Sequence, residues 1–401
     1  MAGNMARPEL LAPAGDLETA RMALRFGADA VYVGGPLLQL RAKSAGLSPS
    51  EIALLSREAH ALGKRVYVAV NSFAFDHEFP ALRGYAQSLA EAGADAAIIS
   101  DPGVMALFRD AAPTLPIHVS TQANCTNAQT ARVYYALGAR RLVPARELSL
   151  SQLIELKRNL PADMEVEAFV HGAMCMAYSG RCMMSAHLTG RSANRGECTQ
   201  PCRWNYALEE EKRPRQFFPV EEAEGRTAIL SAGDLCCLPF LDRLTEAGVS
   251  AFKIEGRMKS EFYVATVVNA YKRRLDDPGA DPAPLLRELR SVSHRPYSTG
   301  FYFGRPNDAS GETEQGSVYS GRVLTVEGGR ARIVLKNRFS EGDVLEIVSP
   351  ATLGFSFAPK NIRDAQGSPA EAAARPDEIY EMDCPASLFP GDLLRRRLPV
   401  G

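Results

Sequence analysis

The chain has 401 residues and a mass of 43.5 kDa, too long for one small domain and enough for two or three at roughly 100–200 residues each. Hydrophobic residues make up 46% and charged residues 23%, a globular balance that excludes a disordered or fibrous chain. Lys and Arg number 46 against 47 Asp and Glu, a net charge of −1, so no global basic field points to nucleic acid and any such binding must be local.

The predicted elements begin with a strand at residues 9–12 and an amphipathic helix at 17–26. A phrase then recurs, a glycine followed by a short apolar run: GADAVYVG at 27–34, GADAAIIS at 93–100, GARRLVPA at 138–145 and GVSAFKIE at 248–255. A glycine that ends a helix and opens an apolar strand is the αβ half of a βα unit. Helical segments at 85–92 and 238–247 precede two of these phrases, and further strands are read at 65–70, 117–120 and 166–170. Eight near-continuous apolar strands alternating with helices favour a (β/α)8 TIM-like barrel. The alternative, a doubly wound sheet, wants a glycine-rich turn after the first strand, and Pro13-Ala14-Gly15-Asp16 has only one glycine. Residues 1–305 are assigned to the barrel, with a cysteine-rich segment at 175–202 and an inserted hairpin at 203–228. Residues 306–401 carry a run of hairpin signals and read as a small all-β C-terminal barrel domain.

No apolar run reaches the ~18 residues of a membrane span, and the first sixteen residues lack the pattern of a secretory signal. A cytoplasmic chain with no membrane partner is expected. Six of the eight cysteines fall between Cys175 and Cys237. In a reducing compartment such a cluster points to metal binding or catalysis rather than disulfides. Cys175, Cys182, Cys198 and Cys202 are separated by long, uneven gaps without the short CxxC knuckles of structural zinc sites. Their soft thiolates suit an iron–sulfur cluster, with zinc as the alternative occupant. Cys236 and Cys237 stand further on.

Active sites of such barrels lie where the strands end. Those positions hold Asp16, Asn71, Asp101, Thr121, Gln122, Arg146, Glu147, His171, Glu255 and Arg257. Any one of them can instead be a helix cap, as Asp16 is expected to be. Arg41 and Lys43 follow the second strand, and Lys259 lies beyond the eighth. An arginine at a mouth can clamp a carboxylate or a phosphate. No HExxH or GxSxG motif is present.

Residues 167–185, EAFVHGAMCMAYSGRCMMS, match the signature of the collagenase-like peptidase U32 family, and the chain resembles that family along most of its length. The supporting phrases are ELLAPAG at 9–15, LRAK at 40–43, STQAN at 120–124, RELS at 146–149, KIEGRMKS at 253–260 and SHRPYSTG at 293–300. The tail resembles the family's C-terminal domain, which is like the second-domain barrel of translation factors. Despite the family's name, the resemblance implies oxygen-independent hydroxylation with prephenate as hydroxyl donor and a four-iron, four-sulfur (4Fe-4S) cluster. Members act on the wobble uridine of tRNA, on a cytidine of large-subunit ribosomal RNA, or on ubiquinone precursors. CTQPCRW at 198–204 and EEKRPR at 210–215 are similar to the tRNA branch, which makes 5-hydroxyuridine.

Carried over residue by residue, the resemblance makes Cys175, Cys182 and Cys198 cluster ligands. The fourth is Cys202, with Cys236 or Cys237 as alternatives. It implies tRNA and prephenate as partners and allows a paralogous family partner. Prephenate has two carboxylates, so Arg257, Arg146 and Arg41 become candidate clamps. Lys43, Asn71, Gln122 and Lys259 are further substrate-binding candidates, and Glu255 and His171 are expected to move protons. Trp204 and Tyr206 are placed to stack on RNA, and Arg322, Arg332, Lys336 and Arg338 to hold its backbone. Two rival readings remain: a true peptidase with a cysteine or metal centre, and a non-catalytic RNA-binding partner whose cysteines hold a structural metal.

Overall fold

The computed structural model describes residues 7–40, 46–175, 179–204, 208–209, 217–218, 221–222, 225–226, 233–304, 313–385 and 387–398. Seven parallel strands follow one another round a ring: β1 (Glu9–Pro13), β2 (Ala30–Gly34), β3 (Arg65–Val70), β4 (Ala96–Ile99), β5 (Ile117–Val119), β6 (Ala139–Leu142) and β7 (Glu165–Ala173). An eighth, Ala251–Ile254, pairs in parallel with both β7 and β1 and closes the barrel. Helices α1 (Leu17–Arg25), α2 (Pro49–Ala61), α3 (Phe79–Glu91), α4 (Pro102–Ala111), α5 (Ala128–Ala136) and α6 (Leu150–Arg158) run between the strands, and Glu261–Asp276 follows the closing strand. Asp16, Ser48, Asp101, Asn127, Ser149 and Ser260 each cap a helix with a side-chain oxygen. No helix among the described residues is long and apolar enough to cross a membrane.

The outward faces of the strands pack on the helices in one large core. Inside the ring lies a separate cluster that includes Leu11, Tyr32, Tyr67 and Ile98. Beside it runs a line of buried charges. Glu167 has no exposed surface, accepts from Lys253 at 2.7 Å and lies 3.3 Å from Arg141, which also bonds Glu9 and Glu165 at 2.7 Å each. The alternation that sends Glu167 and Phe169 inward is broken near the end of β7. Lys253 pairs with Phe169 but the next residue, Ile254, pairs with His171, so Val170 is an extra residue and the strand bulges. Beyond the bulge β7 pairs antiparallel with Asp234–Cys236, which is joined in turn by Tyr297–Ser298.

In the inserted segment, Leu208–Glu209 pairs antiparallel with Phe217–Phe218, and Glu221–Glu222 with Gly225–Arg226. The tip of the expected hairpin and the expected 305/306 domain boundary lie outside the described residues. The C-terminal unit is a six-stranded antiparallel sheet in the order Phe355–Phe357, Leu345–Val348, Leu393–Arg397, Ser317–Glu327, Arg330–Leu335, Ile379–Asp383. It has its own core, including Val323, Ile333, Leu335 and Ile347.

This sheet is fastened to the barrel's helices. The Tyr319 ring lies parallel to Phe262, 5.1 Å between centroids, and its hydroxyl donates to Glu261 at 2.6 Å. Arg25 meets Asp392 at 2.8 Å, and the fully buried Arg395 joins Glu288 and Glu346 at 2.6 and 2.8 Å. The basic residues expected to grip an RNA backbone are largely engaged here. Arg322 pairs with Glu18 at 2.7 Å and Glu261 at 3.5 Å, Arg332 with Glu381 at 3.5 Å, and Lys336 with Asp377 at 2.7 Å. Arg338 is exposed.

Removing one member of a buried ion pair leaves the other uncompensated, at a cost of about 3–5 kcal/mol. Glu167→Gln is therefore expected to lower the urea midpoint by that much stability. The double variant Glu167→Leu/Lys253→Met should recover most of the loss. A single variant as stable as the parent would show that the pair does not hold the closing seam.

Candidate active site at the barrel mouth

The mouth is floored by residues at the ends of β1, β2 and the closing strand. The Tyr32 hydroxyl lies 3.0 Å from the carbonyl of Ile254 and 3.2 Å from Glu255 Oε2. It thereby fixes the half-buried Glu255 carboxylate beside the strand end. Arg257 is only 6% exposed. Its guanidinium reaches Gln39 Oε1 at 3.4 Å and lies 5.9 Å from the Tyr32 ring. Gly34 makes this close approach feasible, because a Cβ there would sit 2.8 Å from the guanidinium and 1.8 Å from Gln39. One cation and one carboxylate are thus held side by side on tyrosine.

Next to β2 on the rim, Asn71 donates to Ser120 Oγ at 3.2 Å, while its buried Oδ1 has no partner among the described residues. Arg146 donates to the carbonyl of Ala173 at 3.0 Å and lies 5.0 Å from the Phe169 ring, steadying the end of β7.

After β7 the chain forms a strap across the mouth. Ser179 N donates to Glu147 at 2.8 Å, beyond β6. Gly180, at φ +73°, lies so close to the loop after β5 that a Cβ would meet the carbonyl of Gln122 at 2.2 Å. Further on, Phe73 N donates to the carbonyl of Asn194 at 3.4 Å, and Arg195 grips Glu78 with two bonds of 3.0 Å. Strands β3 and β7 stand four places apart in a ring of eight, so the strap reaches the far side of the barrel.

The strap carries four thiols, none of them in a disulfide. Cys175 and Cys198 are exposed, Cys182 and Cys202 half-exposed. Two are tied to neighbouring turns: Asn194 donates to the Cys182 carbonyl at 3.0 Å, and Gln200 N lies 3.4 Å from Cys198 Sγ. The two segments are joined where Ser185 Oγ meets Thr199 N at 3.1 Å. In donor chemistry and access this set suits a thiophilic metal or an iron–sulfur cluster. No three His, Cys, Asp or Glu side chains among the described residues lie close enough together to hold a metal ion, so the fit rests on chemistry rather than on convergence. Cys236 and Cys237 differ. They are 6% and 0% exposed, and burial pushes the first thiol up to about 11 and the second well above the usual range. Both are protonated thiols in the metal-free fold.

Two expected site residues point away from the mouth. The bulge in β7 turns His171 outward against helix Glu261–Asp276, among Tyr263, Tyr271 and Tyr297 at centroid distances of 6.1, 5.4 and 5.4 Å. It is 1% exposed, and burial, aided by the charges of His294 and Lys259, pushes it down to about 3. It is therefore neutral and enclosed, unsuited to carry protons for a substrate at the mouth. Lys259 donates to the carbonyl of Ser293 at 3.0 Å and lies over Tyr263, in the same outer layer. Asp16 and Asp101 are helix caps. Arg41, Lys43 and Tyr206 lie outside the described residues. Sequence reasoning passed over Tyr32 and Gln39. A tyrosine between valines in an inward-facing strand was the available sign of Tyr32; Gln39 gave none.

Comparison with known proteins gives consistent matches. The model of Peptidase family U32 matches residues 15–312, and that of the Peptidase family U32 C-terminal domain matches 315–395. The chain is 35% identical to tRNA hydroxylation protein P of Escherichia coli, over 90% of each chain. It is 38% identical to the 23S rRNA 5-hydroxycytidine C2501 synthase of E. coli, over 67% of this chain and 39% of that protein. It is also 32% identical to a protein named collagenase from Porphyromonas gingivalis, over 79% of this chain and 80% of that one.

The enclosure of His171 has a pH signature. A histidine that ionises near 6.5 when unfolded and near 3 when folded favours the folded state above about pH 6.5, and that stability is lost as pH falls toward 3. Burial beside Arg141 and Lys253 holds His118 low in the same sense. Between pH 6 and 4, His171→Phe should flatten the stability–pH slope by about 1.4 kcal/mol per pH unit. Urea titrations of parent and variant that run parallel would show that His171 ionises normally in the fold.

Proposed function

The chain belongs to peptidase family U32, and from that premise we propose that it is an RNA-modifying hydroxylase that converts a tRNA wobble uridine to 5-hydroxyuridine without molecular oxygen. Prephenate is the proposed hydroxyl donor. The observation that carries this reading is the strap: four accessible thiols lie on one segment laid over a mouth that holds a buried arginine and a tyrosine-bound carboxylate. The names of the E. coli relatives, one for tRNA and one for ribosomal RNA, support RNA as the substrate class.

Cys175, Cys182, Cys198 and Cys202 would hold a four-iron, four-sulfur cluster, which supplies one-electron redox chemistry when bound. The rest falls to the chain's own groups. Arg257, held in place by Gln39, clamps a carboxylate of the donor, as a guanidinium does best when its fork is pre-oriented. Glu255 moves a proton at its Oε2, with the Tyr32 hydroxyl as the adjoining donor. Asn71 Oδ1 offers an acceptor for the imide or hydroxyl edge of the substrate. Arg146 keeps the end of β7 and the root of the strap in place. The target base leaves its stack to enter the mouth.

Anaerobic purification with iron and sulfide analysis tests the cofactor. About four iron and matching sulfide per chain, lost in Cys175→Ala and retained in Cys236→Ala, are expected. Stoichiometric zinc without labile sulfide would instead favour a structural metal or the peptidase reading. With an undermodified tRNA, addition of one oxygen to the wobble uridine should depend on prephenate. Glu255→Gln should cut kcat by roughly 100-fold or more, and Arg257→Met should raise KM for prephenate rather than lower kcat.

A further inference from the structure

Two phenylalanines stand in water beside the strap. Phe73 and Phe75, in the loop that leaves β3 at the mouth, are 42% and 52% exposed. Phe75 is held in place. Its N–H donates to Glu78 at 2.8 Å, Glu78 is clamped by Arg195, and the Arg195 guanidinium lies 4.8 Å from the Phe75 ring centre. Arg195 also donates to the carbonyl of Phe73. The His77 ring lies parallel to Phe75 within 12°, 6.0 Å away. This aromatic pair is therefore pre-oriented and still exposed.

Its position ties it to the proposed reaction centre. Asn71, at the mouth, is four residues before Phe75. Asn194, the residue before Arg195, accepts from Phe73 N and donates to the Cys182 carbonyl. The strap is also locally basic: residues 175–204 contain Arg181, Arg191, Arg195 and Arg203 against Glu197, in a chain of net charge −1. Met183 and Trp204 on the strap are 76% and 42% exposed. Exposed π faces interleaved with arginines are what a single-stranded nucleic acid requires, since bases stack on the rings and phosphates meet the cations. A fully paired duplex cannot offer its base faces to such a ring.

We propose that Phe75, braced by Arg195 and Glu78 and flanked by His77, is the stacking platform for an unpaired base adjacent to the nucleotide that enters the mouth. This rests on the RNA-modifying reading above and assigns the side on which the RNA chain leaves the site: over the loop after β3, along the strap. The occupant is a single-stranded loop rather than a duplex, because the Phe75 ring, braced by Arg195, is still half exposed and a paired base has no open face to lay on it.

The test uses the full chain with a fluorescent RNA hairpin bearing a seven-nucleotide loop, and the same stem closed as a plain duplex, at fixed salt. Wild type should prefer the hairpin. Phe75→Leu, which keeps apolar bulk but removes the π face, should weaken hairpin binding roughly 5- to 100-fold and leave duplex binding unchanged, while Phe75→Tyr should restore it. Circular dichroism melts confirm that the variants are folded. Wild type that binds the hairpin no better than Phe75→Leu does would overturn the platform alone. Wild type with no RNA affinity would overturn the RNA reading together with the platform. A change in sedimentation behaviour in Phe75→Leu, with hairpin affinity intact, would reassign the patch to contact between two copies of the chain.

Discussion

The structure depends on one buried carboxylate. Glu167 lies inside the barrel with no exposure, between Lys253 on the closing strand and Arg141 on β6, and Arg141 reaches on to Glu9 of β1. These contacts tie four neighbouring strands where the ring must close between the first and last parts of the fold. A buried charge without partners is expensive, so the four side chains specify which strands meet and in what register. A barrel lined only with aliphatic groups would lack that constraint.

The mouth inherits its layout from this seam. With β7 and the closing strand locked at Glu167 and Lys253, the extra residue at Val170 is absorbed beyond the lock. The side chains past it change faces: His171 turns toward the helix tyrosines, and Gly172, at φ +103°, lets Glu255 come close, since a Cβ would sit 3.0 Å from that of Glu255. Glu255 is left to Tyr32 and the mouth. The bulge thus turns a neutral, enclosed histidine to the outer face while the half-buried Glu255, whose N–H donates to the His171 carbonyl at 2.9 Å, faces Tyr32 at the mouth.

The cysteines divide along the same line. Those on the strap are exposed or half-exposed, where a soft metal or cluster could reach them. Those beside the bulge are buried and protonated. A similar division governs the cations. The arginines of the C-terminal sheet mostly meet carboxylates, on the barrel or within the sheet, and fasten the two units together. On the strap, Arg195 meets the carboxylate of Glu78 and also lies against the exposed ring of Phe75. Positive charge alone did not distinguish these two uses; the partners did.

The sequence by itself determined the eight strands and their order, the cap at Asp16, the family, and the set of thiols on one excursion. Each of these is local: a glycine before an apolar run, a short polar side chain before a helix, a cysteine-rich phrase. Only the tertiary structure decided where His171 and Lys259 point, because parity along β7 depends on one unpaired residue opposite another strand. It also joined the strap to the loop after β3, through contacts more than a hundred residues apart in the chain. Periodicity cannot carry that information. It resides in the closure of the ring, which brings β3 and β7 to opposite sides of one mouth.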